Sequence, residues 1–501
     1  MAMQNDSLRT RRELLINLIR AFEGEDRNRE MDRIPYLMRP RGHSPSRCCI
    51  YLDRAILRYR LISMLGFAVE ADQDDFKPVS EYCEEALKRE KAPAEALSLL
   101  GMACHACVKS QYMVTDACQG CFARPCVFVC PKQATSVRDG HSHIDHTKCI
   151  DCGKCTQVCP YHAIIRIPIP CEEACPVGAL SKNPDGTEKI DFSKCIACGK
   201  CMKACPFGAI MERSHIIDVL KHIRAGRHVI AMVAPAISGH FPGTLGQIAS
   251  ALKAVGFSHM EEVAFGAEMT ADHETKEFFE RMERGDRLMT SSCCPAYVEA
   301  VRRHVKELLP YVSSTPSPMV FAGREVKKRY PDSVTVFIGP CLAKRREAAA
   351  EESVDCVMTF EELASLFAAK EIDVTSCPEE KLDRQADPYA RGFATSCGVT
   401  AALLNAAAND PECKEKIQEM KVDTHFIDGI TKKTLTQLKL YGMGKLPGNF
   451  LEVMACEGGC VGGPCALCDV KLATVALKRQ PGASSGMTVG KLPPVPEKKE
   501  S

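Results

Sequence analysis

The sequence predicts an α/β protein in three parts with a tail. A small helical region covers residues 1–100, a cysteine-rich α+β domain covers 101–215, and a larger domain of parallel strands and helices covers 225–475. Three observations carry this reading. Charged helical periodicity fills the first part, as in Glu81-Tyr82-Cys83-Glu84-Glu85-Ala86-Leu87-Lys88. Cysteines then crowd residues 104–205, where long periodic segments are missing. From about residue 227, short apolar runs alternate with amphipathic helical stretches, the pattern of a sheet with parallel strands.

The polar N-terminus leads into Arg11-Arg12-Glu13 without an apolar stretch, so no secretory signal is read, and no apolar run is long enough to span a membrane. The expectation is a soluble, cytoplasmic protein with no membrane partner. A formal charge of +1 over 501 residues gives no electrostatic case for nucleic acid. Most of the 30 cysteines fall in C-x2-C-x2-C-x3-C-P runs rather than in a scattered framework. That pattern points to metal ligation in a reducing compartment, not to disulfides. The adjacent pair Cys48-Cys49 in the first part reads as buried thiols of a helical domain, with a ligand or redox role left open.

The second part carries two complete runs, Cys149, Cys152, Cys155, Cys159-Pro160 and Cys195, Cys198, Cys201, Cys205-Pro206. Such spacing lets three thiolates reach three corners of a 4Fe–4S cube while the fourth cysteine ligates another cube. The expected pairing is Cys149, Cys152, Cys155 with Cys205, and Cys195, Cys198, Cys201 with Cys159. Structural zinc would need only four thiolates and no exchanged ligand. The domain is therefore expected to be ferredoxin-like. A third run, Cys118, Cys121, Cys126, Cys130-Pro131, and two partial halves, Cys104, Cys107 and Cys171, Cys175-Pro176, supply eight more thiols, enough for one or two further cubes.

In the third part, Arg227–Pro235 reads as a buried strand, followed by a helix with Ile248, Leu252 and Val255 on one face. The runs Ser333–Ile338 and Phe450–Met454 are further strands, each leading directly to cysteine. In parallel sheets, ligands collect beyond the carboxyl ends of strands. Three islands fall there: Ser291-Ser292-Cys293-Cys294-Pro295-Ala296-Tyr297, Gly339-Pro340-Cys341-Leu342-Ala343-Lys344, and Met454-Ala455-Cys456-Glu457-Gly458-Gly459-Cys460. Adjacent thiols seldom ligate one cluster, so one of Cys293 and Cys294 is expected to stay free. Glu274, Glu277 and Arg281 share one helical face, which by itself reads as a solvated surface. Cys465 and Cys468 read as structural thiols or as ligands of something additional. The Pro- and Ser-rich segment 479–501 is expected to be disordered.

Together the three islands resemble the signature motifs of the iron-only (FeFe) hydrogenases, over roughly residues 140–470, and most resemble the subgroup called group B. The resemblance implies a FeFe-hydrogenase catalytic domain over 225–475 and an H-cluster, in which a 4Fe–4S cube is joined to a diiron unit bearing CO, cyanide and an azadithiolate. It implies Cys294, Cys341, Cys456 and Cys460 as ligands, Cys460 bridging. It places Lys344 by a cyanide and packs Pro235, Ala236 and Met454 around the diiron unit. Cys293 matches the proton-passing thiol. Glu274, Glu277, Ser313 and Arg281 match the proton path, with Glu347 at its surface end.

Several positions depart from the family pattern: Ser291 for threonine, Tyr297 for tryptophan, Ala236 for serine, Gly339 for methionine and Met319 for glutamine. The implied activity is reversible interconversion of H2 with protons and electrons, with ferredoxin or a similar carrier and diiron-site maturation proteins as partners. No flavin or nicotinamide motif is present. Two alternatives are an H2 sensor, which in this family generally lacks the thiol at Cys293, and a non-enzymatic iron–sulfur assembly factor of the same fold.

Overall fold

The computed structural model describes residues 5–71, 74–108, 111–382, 385–420 and 422–478. The segment 479–501, expected to be disordered, lies outside them. The first part folds into α1 (Asp6–Glu23), α2 (Arg27–Met38), α3 (Ile50–Met64) and α4 (Val79–Lys88). The Asn5 side chain accepts the Leu8 N–H at 2.9 Å and caps α1. One face of α1 buries Leu14, Leu15, Leu18, Ile19 and Phe22, and packs on the helix Phe360–Ala369 of the third part. Arg11 adds buried ion pairs to Glu361 and, at 3.6 Å, to Glu212. The helical region is thus tied to both other parts. Cys48 is exposed and Cys49 partly so, their sulfurs 3.7 Å apart where α3 begins, so they are not the buried thiols expected.

The second part contains β1 (Leu97–Leu99), β2 (Gln111–Val114), β3 (Thr135–Arg138), β4 (His141–Ile144), β5 (Ile164–Ile167), β6 (Leu180–Lys182), β7 (Glu188–Ile190) and β8 (Ile210–Glu212). They pair as four short antiparallel ladders: β1 with β8, β2 with β5, β3 with β4 and β6 with β7.

The third part holds two parallel sheets, as its alternating pattern predicts. Strands β9 (Val229–Val233), β10 (His259–Glu262), β12 (Val334–Gly339) and β13 (Cys356–Thr359) lie in the order β10-β9-β12-β13. Strands β11 (Met289–Thr290), β14 (Thr424–Asp428) and β15 (Phe450–Met454) lie in the order β11-β15-β14. β9, β12 and β15 are buried throughout, which explains their largely apolar character, interrupted by Thr335 in β12 and Glu452 in β15. The helix Leu245–Val255 opens with a Thr244/Gln247 capping box and buries Ile248, Leu252 and Val255. Among the described residues no helix is long and apolar enough to cross a membrane.

Candidate functional site

The carboxyl ends of strands from both sheets converge on one apolar cavity. β9 delivers Ala234, Pro235 and Ala236, β11 leads to Cys293 and Cys294, and β12 leads to Pro340 and Cys341. β15 delivers Met454, Ala455 and Cys456. Cys460 returns to the cavity because Gly458 and Gly459 adopt φ of +81° and +83°. A Cβ at Gly459 would lie 2.7 Å from the Ala394 carbonyl, so glycine is required by both conformation and space.

Cys294, Cys341, Cys456 and Cys460 are close enough to influence one another's ionisation. Burial, and then neighbouring thiolates, push Cys341 up to about 11 and Cys460 up to about 12. Four thiolates in such an apolar cavity require a cationic partner. Among the described residues no three His, Cys, Asp or Glu side chains close on a single ion position. A mononuclear site needs sulfurs converging to about 2.3 Å from one point. The donor set and the cavity therefore fit a polynuclear iron–sulfur centre.

Lys344 is buried rather than solvated. Its Nζ donates to Glu347 Oε2 at 2.6 Å, to Ser317 Oγ at 2.9 Å and to the Cys293 carbonyl at 3.4 Å. Burial disfavours the ammonium, but the Glu347 carboxylate more than offsets it, and the Lys344 pKa stands above the ordinary lysine value. Glu347, partly exposed, is thereby paired with Lys344.

Cys293 is buried beside the cluster-facing thiols and under the influence of Glu274. Glu274 is fully buried, and burial pushes its pKa up to about 7. Ser313 donates its hydroxyl to Glu277 Oε2 at 2.8 Å and is near enough to Glu274 to lower its pKa, while Glu274 Oε2 is buried without a hydrogen-bond partner. Burial works against the Glu277 carboxylate, but the Ser314 N–H and the Ser313, Thr315 and Ser314 hydroxyls outweigh it and hold it below the ordinary range. Arg281 Nη2 donates to Glu277 Oε1 at 2.7 Å and to the Val312 carbonyl at 3.0 Å. The helix Ala264–Glu283 thus turns the Glu274–Glu277–Arg281 face inward, against the reading of that face as solvated surface.

The departures from the family pattern have local accounts. Tyr297 is buried, its hydroxyl 2.7 Å from Thr290 Oγ1. Ser291 Oγ accepts the Val453 N–H at 3.1 Å. A Cβ at Gly339 would meet the Phe337 ring at 2.7 Å, so Phe337 fills the space a side chain there would use. Ala236 and Met319 line the cavity and leave it without polar groups at those positions. Cys465 lies 3.4 Å from Glu212 and Cys468 3.3 Å from His240 Nδ1; neither lines the cavity.

Sequence reasoning missed Glu452, two residues before the third island. It is buried on β15, accepts the Thr400 N–H and hydroxyl at 2.8 Å each, and raises Cys293 and Cys460. Burial pushes its own pKa up to about 7.

The sixteen thiols of the second part, Cys104 to Cys205, form four sets, and their membership differs from the expected pairing. Cys149, Cys152 and Cys155 share a pocket with Cys130, while Cys159 shares one with Cys118, Cys121 and Cys126. Cys205 joins Cys104, Cys107 and Cys171. Cys195, Cys198 and Cys201 group with Cys175; burial, and then the neighbouring thiols, push Cys198 up to about 12. The exchange of fourth cysteines occurs, but between each complete run and a run or split half, not between the two complete runs. Cys198 also lines the large cavity. Gly199 permits this approach: at φ +72°, its Cβ would lie 2.7 Å from Pro464 and 2.9 Å from Leu342.

Residues 227–464 match the model for the iron-only hydrogenase large subunit, C-terminal domain, and residues 142–165 and 188–211 match the 4Fe–4S binding domain. The chain is 33% identical to the periplasmic [Fe] hydrogenase large subunit of Nitratidesulfovibrio vulgaris, covering 64% of this chain and 85% of that one. It is 30% identical to iron hydrogenase 1 of Clostridium pasteurianum, covering 66% of each. It is also 24% identical to the cytosolic Fe–S cluster assembly factor narfl of Xenopus tropicalis, over 44% of this chain and 56% of that one. The chain spans just under two thirds of the length of the Clostridium relative.

Proposed function

Because this chain belongs to the family of iron-only hydrogenases, with a 4Fe–4S ferredoxin-type domain, we propose that it catalyses H2 ⇌ 2H⁺ + 2e⁻ at an H-cluster and exchanges the electrons with a ferredoxin-type carrier. Cys294, Cys341, Cys456 and Cys460 would hold the cluster, and Pro235, Ala236 and Met454, which line the same cavity, would pack around its diiron unit. When bound, the cluster supplies the two-electron chemistry. The protein supplies the rest. The apolar cavity wall excludes water, and the Lys344 ammonium presents positive charge to an anionic ligand set. Diiron-site maturation proteins would install that unit.

The observation that carries this reading is the buried line from Cys293 through Glu274 and Ser313 to Glu277 and Arg281. Cys293 Sγ, left free beside Cys294, can give and take a proton. Glu274, poised near neutrality, passes it to Ser313 Oγ, whose hydroxyl rotates to serve Glu277. A chain that only bound or transferred iron–sulfur clusters, as the assembly-factor relatives are named for, would have no use for such a line.

The test is anaerobic expression with the diiron maturation machinery, followed by infrared spectroscopy and an H2 assay. CO and cyanide bands with H2 turnover support the reading. Their absence from iron-replete, matured protein would overturn it and favour the assembly-factor alternative. Bands without turnover would favour the sensor.

A further inference from the structure

The four thiol sets lie in two stretches of chain with the same topology. In one, β2 leads to Cys118, Cys121, Cys126 and Cys130, then the hairpin β3–β4, then the run from Cys149 to Cys159, then β5, which closes antiparallel on β2. In the other, β1 leads to Cys104 and Cys107, and later Cys171 and Cys175 precede the hairpin β6–β7. The run from Cys195 to Cys205 follows, then β8 closes antiparallel on β1.

Local details repeat. Cys130 Sγ accepts the Ala134 N–H at 3.2 Å, as Cys175 Sγ accepts that of Ala179 at 3.2 Å. Each hairpin ends alike, with the Asp145 N–H on the Ala134 carbonyl and the Asp191 N–H on the Ala179 carbonyl, both at 2.8 Å. Asp145 and Asp191 each bind the residue two positions on, before Cys149 and Cys195. Cys130 and Cys175 therefore occupy the same place in a shared plan, although one belongs to an intact run and the other to a split half.

We infer that residues 111–167 form one complete two-cube ferredoxin unit inserted between Cys107 and Cys171 of a second, so that four cubes are ligated within units and none across the two complete runs. The β2–β5 ladder is the stem of the insertion, with its Gln111–Ile167 end next to Cys107 and Cys171 and its Val114–Ile164 end next to Cys118 and Cys159. This orders the cubes. The Cys198 set lies against the cavity, while the run that carries Cys118 also carries the exposed Phe122 and Phe128. The inference concerns cluster ligation alone and stands whether or not the chain turns over H2.

The experiment uses the full chain, purified anaerobically without diiron maturation, with iron, sulfide and low-temperature EPR of the reduced protein as readouts. Cys130→Ala combined with Cys149→Ala removes two ligands of one cube, so one cube is expected to be lost, about four iron per chain. Cys149→Ala combined with Cys205→Ala strikes two cubes, so two signals are expected to disappear or convert to three-iron forms. The reverse result, two cubes disturbed by the first pair and one by the second, would overturn the nesting in favour of pairing between the complete runs. Should an alanine variant fail to fold, the serine pairs Cys130→Ser with Cys149→Ser and Cys149→Ser with Cys205→Ser are read in the same way, and about twelve iron in the unmodified chain, too few for four accessory cubes plus the catalytic cube, would also refute the proposal.

Discussion

The backbone N–H of Ser292 donates to Glu274 Oε1 at 3.0 Å, so the loop that presents Cys293 and Cys294 is fastened by the carboxyl that lies next on the proposed proton line. On that proposed line this one side chain has both a positioning and a proton-carrying part. They can be separated, because an amide oxygen still accepts the Ser292 N–H but an amide does not carry a proton onward.

Glu274→Gln is therefore expected to keep the infrared bands of the matured cluster while H2 turnover falls by about 10²–10⁴-fold, the usual worth of a positioned acid–base group. Turnover at the parent rate would remove Glu274 from the line.

Cys293→Ala and Cys294→Ala should part company although the residues are neighbours. The first is expected to retain cluster iron and CO and cyanide bands but lose turnover. The second removes a ligand and should lose or alter the catalytic cube, about four iron by analysis. Equal iron loss in both variants would mean that the division of labour is wrong.

Lys344→Met leaves the partly buried Glu347 carboxylate without its ammonium. Breaking a largely buried pair from one side is expected to cost about 1–3 kcal/mol, discounted for the partial exposure of Glu347. Adding Glu347→Gln should recover part of that loss, read as the denaturation midpoint of unmatured protein. A double variant less stable than the single one would show that the pair is not the source.

Glu274 and Glu452 both have folded-state pKa values raised from 4.5 to about 7. Between those values the folded chain holds a proton that the unfolded chain releases, so stability falls as pH rises through this window and levels off above it. Each carboxyl contributes a slope of at most about 1.4 kcal/mol per pH unit. Unmatured Glu452→Gln, compared with parent across pH 4.5–8, should show a flatter profile and a relative gain at the alkaline end. Parallel profiles would count against a neutral Glu452.

Much of this was legible in the chain. The strand Phe450–Met454 occupies the residues its apolar run predicts, and the strand over 227–235 differs only at its ends. Cys293, Cys294, Cys341, Cys456 and Cys460 could be singled out because each sits in a short motif at a strand's end. Glu452 was hidden because a single acidic residue in a strand carries no periodic signal; only the fold reveals that it is buried against Thr400. Lys344 and Glu347 show the converse: their i,i+3 spacing on one short helix suggests the pair, but only the fold reveals that Lys344 is buried against the cavity.

The sequence by itself determined the parts list: the iron–sulfur runs, two kinds of sheet-and-helix texture, and a free thiol beside a ligand. Local spacing encodes these, because three thiolates a few residues apart can reach only one cube. Only the tertiary structure decided which fourth cysteine completes each set and that the Glu274–Arg281 face turns inward. Both depend on which distant segments pack together, as when β2 meets β5 and encloses the insertion, and such pairing leaves no mark in the spacing of either segment.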